Sequence, residues 1–262
     1  MKKIEEKLLN NLKEFNLLNK KIVVGFSGGG DSTALIIALN KIQKDIPEFY
    51  FEAFHVNYGL RKDSGKDEQF VQDICSKLEI KLVTKNIKNE NIKLQGNSEN
   101  ELRRIRYELI SSYILKSKAY CLLTGHNLND HIETLLMKLS RGSGLKGLEG
   151  INHFSTLNEY NGLKIYRPLI SVKKEDLFEY CITNNTNPMD DVTNQDIKFS
   201  RNRIRNKVIP ELEKINSDFL NTANRLTGVV KELNNYQNKS INGIFKKIKI
   251  EENDKKISFS RT

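Results

Sequence analysis

The sequence of 262 residues has no tryptophan, only four prolines and only three cysteines, and each shortage removes a class of protein. So little proline, with 15 glycines and no internal repeat, excludes a collagenous or low-complexity chain. Cys75, Cys121 and Cys181 stand apart without paired spacing, so neither a disulfide framework nor a zinc ribbon is indicated. Each reads as a small buried hydrophobe. Long apolar runs are missing as well. Ile22–Val24 and Ala34–Leu39 fall far short of the roughly 18 residues that a membrane-spanning helix needs. Glu5, Glu6 and Glu14 interrupt the stretch where a secretory leader would be apolar. The expectation is a cytoplasmic chain without membrane association, and nothing in the sequence calls for an obligate protein partner.

What is present is a foldable composition, 38% hydrophobic and 29% charged, which argues against wholesale disorder. The net charge of +10 is unevenly placed: residues 197–262 hold 15 basic and 7 acidic side chains, a local +8, leaving +2 for everything before them. A near-neutral body with a basic C-terminal quarter fits a polyanionic partner, because phosphate contacts supply most non-specific affinity. Solvated lysine-rich helices give the same count.

Alternating strand and helix patterns organise the first half. Lys21–Phe26 is a β-branched run stopped by glycines, followed from Asp31 by a helical pattern through Leu35, Ile36 and Leu39. The order returns with a strand over Phe49–Val56, a helix over Ser64–Leu78, a strand over Ile80–Thr84 and a helix from Ser98, where Ser98 and Glu101 form a capping-box pattern. A strand over Tyr120–Gly125 and a helix over Asn129–Ser140 follow. This order predicts an α/β fold: a doubly wound, mostly parallel sheet, helices on both faces, and ligands beyond the carboxyl ends of the strands. After Gly150 the pattern loosens over the polar stretch His153–Gly162. Lys164–Arg167, a helix over about Lys173–Asn185 and helical segments around Arg201–Glu213 and Phe219–Tyr236 come next. Gly243–Thr262 reads as either a marginal hairpin or a frayed tail. The domain division expected from these patterns is 1–208 for the catalytic domain and 209–262 for a short helical basic extension.

The first strand-to-helix junction reads Ser27-Gly28-Gly29-Gly30-Asp31-Ser32. Consecutive glycines let backbone N–H groups turn toward an anion, and the helix N-terminus adds about half a positive charge at the same point. Two common phosphate loops fail by letter: one needs a lysine where Asp31 stands, the other a glycine where Thr33 stands. A carboxylate beside bound phosphates is unfavourable unless a cation lies between them, so Asp31 implies a divalent metal, most simply Mg²⁺. A glycine-rich turn before a helix is also, often, only a turn.

With its neighbours the loop becomes specific. Ser-Gly-Gly-x-Asp-Ser after a first strand resembles the pyrophosphate loop of the N-type ATP pyrophosphatases, a Rossmann-like superfamily. Further pieces follow in order: His55-Val56-Asn57-Tyr58-Gly59-Leu60-Arg61, Glu99 with Arg103, Arg106 and Tyr107, Thr124-Gly125-His126-Asn127 through Thr134, Arg141 through Leu148, Arg167-Pro168-Leu169, Asp190 through Asp196, then Phe199, Arg201-Asn202-Arg203-Ile204-Arg205 and Pro210. Over about residues 22–210 they are similar to the tRNA(Ile)-lysidine synthase family. The resemblance implies that ATP adenylates the wobble cytidine of a tRNA(Ile) with a CAU anticodon, and that free L-lysine then displaces AMP to form lysidine. It assigns ATP to Ser27, Gly28, Gly29, Gly30, Asp31 and Ser32, with Mg²⁺ near Asp31. His55 and His126, each at a predicted strand end, are candidates for the nucleotide pocket or ordinary polar edges.

Asp130 and Glu133, three apart at the start of a helix, are candidates to bind the lysine ammonium and receive its proton. Carboxylates in a first helical turn also simply complement the dipole. Asp31, Asp130 and Glu133 are thus the expected catalytic residues, and Arg201, Arg203 and Arg205 the expected tRNA contacts, a solvated helix face being the other reading. A zinc site is not expected, since His126 and His131 are five apart and no cysteine is near. The chain departs from the family pattern at Tyr58, where many members have His, and at Asn129-Asp130-His131, where they have Asp-Asp-Gln. Larger members carry C-terminal domains for the acceptor stem, so the extension here is short or truncated. The rival function in the same fold is an ATP-dependent tRNA thiolase, which needs a reactive cysteine or cluster ligands.

Overall fold

A computed structural model of the chain describes residues 3–59, 64–87, 99–189, 200–253 and 256–259. Ser98 of the expected capping box, Leu60 and Arg61, and the run from Asp190 to Phe199 lie outside the described residues. The chain divides into two compact units, Met1–His131 with Asn152–Asp196 and Ile132–Ile151 with Ile197–Thr262. The boundary expected at residue 208 rests on charge and motif extent, a different criterion.

The first unit is built on six strands: β1 (Lys21–Gly25), β2 (Tyr50–Asn57), β3 (Leu82–Asn86), β4 (Cys121–Leu123), β5 (Phe154–Leu157) and β6 (Leu163–Tyr166). They lie in the order β3-β2-β1-β4-β6-β5, all parallel except the edge strand β5, which pairs antiparallel with β6. Side chains alternate across a strand, so neighbouring residues feed different cores. Ile22, Val24, Phe51, Ala53 and Leu123 join one cluster with α1 (Lys3–Glu14), α2 (Gly30–Asp45), α3 (Ser64–Lys77) and α6 (Lys174–Thr183). Val23, Phe54, Leu122 and Ile165 join the other with α4 (Glu99–Ser117). Helices therefore cover both faces, as the alternating pattern predicts. The three cysteines are buried, and burial pushes each thiol up to about 12.

Two elements escape the sequence pattern. α1 docks through Leu8 and Leu12, and its buried Glu5 accepts hydrogen bonds from Lys41 Nζ at 3.0 Å and Tyr180 Oη at 2.7 Å. β5 falls in the stretch His153–Gly162, whose half-buried edge position tolerates polar residues and so hides a strand. The sheet alternation is real, but an edge strand has only one neighbour to impose it.

The second unit is helical. α5 (Leu128–Ser140) crosses the division; α7 (Ser200–Arg203), a π-helical stretch Ile204–Val208, α8 (Ile209–Ile215) and α9 (Phe219–Ile248) follow. α9 runs twelve residues beyond the expected Tyr236, and the tail closes as a hairpin of β7 (Lys249–Asn253) and β8 (Lys256–Phe259). Leu220, Ala223, Val230 and the buried Asn234, whose Nδ2 donates to Glu149 Oε1 at 2.6 Å, mark the packed face of α9.

Glu52, 1% exposed on β2, anchors the amino end of the sheet. It accepts hydrogen bonds from Lys81 at 2.8 Å, Tyr113 at 2.6 Å and Tyr50 at 3.1 Å and pairs with Lys21 at 3.1 Å. Burial raises its pKa, but these four partners more than offset that and bring it down to about 2. A carboxylate depressed from 4.5 stabilises the fold above its unfolded value, and the contribution disappears as pH falls through about 2. Glu52→Gln is expected to be less stable than the parent at pH 7 by about 2 kcal/mol, after discounting for the exposed lysines. Urea unfolding at pH 7 and pH 3 checks it: the parent loses more stability on acidification than the variant, and parallel losses would remove Glu52 from the acid response.

Candidate nucleotide and ion-pair sites

The loop between β1 and α2 is held both by its own side chains and by distant parts of the chain. Gly28 takes φ +89, a region closed to most residues, and Gly29, at φ −71 and ψ 162, stands at the N-cap of α2 with no side chain capping the helix. The first-turn N–H groups of α2 are thereby not consumed by a side-chain cap, as an anion site requires. Ser32 folds back: its Oγ donates to the Gly29 carbonyl at 3.0 Å, accepts from the Ser27 N–H at 3.2 Å and lies 3.0 Å from Ser27 Oγ. Thr33 Oγ1 donates to the Gly28 carbonyl at 3.2 Å. The Met189 N–H donates to the same carbonyl at 3.2 Å, and Cys181 Sγ donates to the Gly30 carbonyl at 3.5 Å. Carbonyls are thus tied down from behind.

Gly125, just past β4, makes the closest approach. A Cβ there would meet the Asp31 carbonyl carbon at 2.9 Å and the Ser32 nitrogen at 3.0 Å, both backbone atoms that cannot swing away. Only glycine lets the β4 turn pass against the first turn of α2. Half-buried Asp31 sits in that turn. His55 is 4% exposed, its Nδ1 2.9 Å from the Phe26 carbonyl at the start of the loop, so it braces the backbone leading into the glycines. His126 is half-buried, its Nδ1 2.7 Å from Thr124 Oγ1.

The expected lysine-site carboxylates stand in different surroundings. Asp130 and Asn127 cap α5 reciprocally: Asp130 Oδ2 accepts from the Asn127 N–H at 3.1 Å, and Asn127 Oδ1 from the Asp130 N–H at 3.0 Å. The pattern Asn127-x-x-Asp130 was readable in the sequence as a cap. Glu133 is fully buried, and both its oxygens are taken: Arg201 Nε donates to Oε2 at 2.7 Å, Arg205 Nε to Oε1 at 2.5 Å and a second Arg205 nitrogen to Oε2 at 2.9 Å. Arg203, between the two on the chain, is exposed. Residues with two separate sequence assignments, one carboxylate for lysine and two arginines for tRNA, are one ion-pair cluster. No spacing rule links positions 133 and 205, so only the folded chain shows it. The departures from the family pattern find local partners: Asn129 Oδ1 accepts from the Lys174 N–H at 3.0 Å, and Tyr58 donates to the Leu102 carbonyl at 3.3 Å. Among the described residues there is no group of three His, Cys, Asp or Glu side chains fit to hold a metal alone, and no helix is long and apolar enough to cross a membrane.

Comparison with known proteins follows this geometry. Residues 1–212 match the PP-loop domain family. The chain is 37% identical over 246 residues to a tRNA(Ile)-lysidine synthase of Buchnera aphidicola, covering 94% of this chain and 51% of the relative. It is 34% identical over 256 residues to the protein of that name from Clostridioides difficile, covering 94% and 53%. The chain thus spans about half the length of the curated relatives it matches. In structure it is similar to a U34-tRNA thiolase of Methanococcus maripaludis, with a TM-score of 0.72 over 88% of this chain and 79% of that one at 21% identity, a likeness of fold.

The two neighbouring carboxylates therefore differ in what they support. Asp130→Ala removes a cap and is expected to cost about 1 kcal/mol. Glu133→Ala strands two partly buried guanidinium groups and is expected to cost about 3 kcal/mol. Chemical denaturation of both variants measures the difference; equal losses would mean that the arginine cluster contributes nothing to the fold. Gly125→Ala is expected to lower the melting temperature and weaken nucleoside triphosphate binding together, since the added methyl displaces the backbone of Asp31 and Ser32. Calorimetric titration with a non-hydrolysable triphosphate reads the second effect.

Proposed function

We propose, on the premise that this chain belongs to the PP-loop domain family, that it acts as an ATP-dependent tRNA-modifying ligase. In this reading the carbonyl oxygen of the wobble cytidine of tRNA(Ile) attacks the α-phosphate of ATP and pyrophosphate leaves. The ε-amine of free L-lysine then displaces AMP, giving lysidine. The observation that carries the reading is the uncapped N-terminus of α2 behind Gly28–Gly30, with Asp31 in its first turn, in a chain 34–37% identical to tRNA(Ile)-lysidine synthases. Such a loop binds the leaving pyrophosphate through backbone N–H groups that are already oriented, so little reorganisation accompanies charge development. Ser27 and Ser32 add hydroxyls at the same place.

The residues fit a divalent cation. Mg²⁺ is commonly held by one or two carboxylates together with substrate phosphates, and Asp31 with the bound polyphosphate is such a donor set. When bound, it would neutralise charge on the phosphates; Asp31 would hold it. Asp130, half-buried at the start of α5, contributes its carboxylate to the lysine ammonium in this reading. Glu133 receives that ammonium in this reading only as Arg201 and Arg205 let go of it, and these two with Arg203 then meet tRNA phosphates. His55 acts by bracing the loop, and His126 lines the nucleotide pocket. A location in the cytoplasm accompanies a tRNA substrate.

The thiolase alternative lacks support in this chain's cysteines. All three are buried and their thiols are pushed up to about 12, the opposite of an activated thiolate.

Lysine-dependent release of AMP from ATP, with and without tRNA(Ile) transcript, tests the reaction; the expected result is release only when all three are present. Asp31→Asn is expected to abolish pyrophosphate release at saturating Mg²⁺ with an unchanged melting temperature, and unaltered release would remove the metal assignment. Asp130→Ala is expected to raise the KM for lysine at least tenfold and leave that for ATP within about twofold, a factor of ten being about 1.4 kcal/mol. Equal changes would return Asp130 to a capping role alone.

A further inference from the structure

Three arginines of the first unit gather around one tyrosine, and among the described residues no acid stands between them. Arg103 and Arg106 of α4 place their guanidinium carbons 5.0 and 5.6 Å from the centre of the Tyr107 ring. Arg167, directly after β6, is 5% exposed and donates one terminal nitrogen to the Asn152 carbonyl and Ser155 Oγ, each at 2.9 Å. Its Nε and the hydroxyl of Tyr107, itself 2% exposed, are buried without a hydrogen-bond partner. The Tyr160 ring packs 5.5 Å from that of Tyr107.

The next arginine on the helix shows what is missing. Arg104 pairs with Glu101 at 2.9 Å and Glu108 at 2.5 Å on the exposed side of α4. Among the described residues no carboxylate pairs with Arg103, Arg106 or Arg167. Burial, and then the nearby positive charge of Arg103, lower the pKa of Arg167, while Tyr107 opposes the shift. Gathered like charges with unsatisfied buried donors are costly unless an acceptor joins them. The planar fork of arginine suits an oxyanion bound through two parallel hydrogen bonds.

Position says which oxyanion. α4 starts after β3 and Arg167 follows β6, so the cluster lies at the carboxyl edge of the parallel strands, where ligands bind in open α/β sheets. Arg103, Arg106 and Tyr107 sit on the α4 face, while the glycine loop leads into α2 on the opposite face. Three fixed charges exceed what a single carboxylate neutralises; a polynucleotide offers phosphates in series. We propose that Arg103, Arg106 and Arg167 form a phosphodiester-binding cradle, with Arg167 as the buried base and Arg103 and Arg106 as the reachable arms, that grips the RNA strand beside the base presented to ATP. The proposal rests on the tRNA-ligase reading given above.

The test is filter binding of tRNA(Ile) transcript across a salt series with the parent chain and R103Q/R106Q, Arg167 left in place. The expected result is a tenfold or greater loss of affinity at 0.15 M salt and a flattening of log K against log salt by about 0.7 for each phosphate that the variant no longer neutralises. The KM values for ATP and lysine and the melting temperature should hold. An unchanged slope overturns the proposal. So does a selective rise in the KM for ATP, which would make the anion a nucleotide phosphate, or for lysine, which would make it a carboxylate. If R103Q/R106Q fails to fold, R103K/R106K carries the test. It keeps the charge but loses the fork, so the slope should persist while affinity falls; parental affinity in that variant overturns the cradle. Salt-dependent binding is measured without turnover, so absence of lysine-dependent AMP release would count against the ligase reading and not against the cradle.

Discussion

The turn between β1 and α2 leaves the N-terminus of α2 without a side-chain cap, and much of the first unit goes into holding that turn in place by other contacts. Between β1 and α2 the loop is fixed through its carbonyls: Thr33 and Met189 hold that of Gly28, Ser32 that of Gly29 and Cys181 that of Gly30. His55 holds the Phe26 carbonyl that leads into it. Ser32 and Thr33 act locally, while Met189, Cys181 and His55 reach the loop from distant parts of the chain, so the site depends on strand order and helix docking as well as on its own residues. Gly125 shows how tight the arrangement is, because one methyl would collide with backbone on the first turn of α2.

Buried carboxylates divide the remaining polar work. Glu5 joins α1 to α2 and α6 through Lys41 and Tyr180; Glu52 gathers two lysines and two tyrosines at the amino end of the sheet. Both sit away from the carboxyl edge and serve the fold. Glu133 in the second unit is different in kind: its partners are two arginines from a segment more than sixty residues later, and all three bear on the proposed chemistry. A buried acid with two basic partners is stable as a group and costly to break singly. Such a group therefore ties α5 to the segment that carries the two arginines.

The arginines at the carboxyl edge present the complementary case, positive charge gathered with no carboxylate paired to it among the described residues. Arg104 satisfies itself on the exposed side of the same helix. The difference between Arg104 and its neighbours Arg103 and Arg106 is one of direction, set by the 3.6-residue turn of α4. Charge summed along the sequence misses it. The basic C-terminal quarter includes Arg201 and Arg205, yet these two share the carboxylate of Glu133, whereas Arg103 and Arg106 lie in a stretch whose net charge is close to zero.

The strand and helix order from β1 to α5, the sheet class, the glycine turn between β1 and α2 and the burial of the cysteines were determined by the sequence alone, because each rests on local rules: side-chain period, glycine conformation and the scarcity of polar neighbours. The pattern Asn127-x-x-Asp130 belongs with these, being a cap legible in four residues. Tertiary structure decided the rest. β5 forms because β6 offers it a partner, not because Phe154–Leu157 alternates strongly. Gly125 has to be glycine only where β4 passes α2. The pairing of Glu133 with Arg201 and Arg205, and the convergence of Arg103, Arg106 and Arg167 on Tyr107, join residues that sequence places scores of positions apart. Electrostatic energy depends on distance through space and on burial, and neither is fixed until the chain has folded.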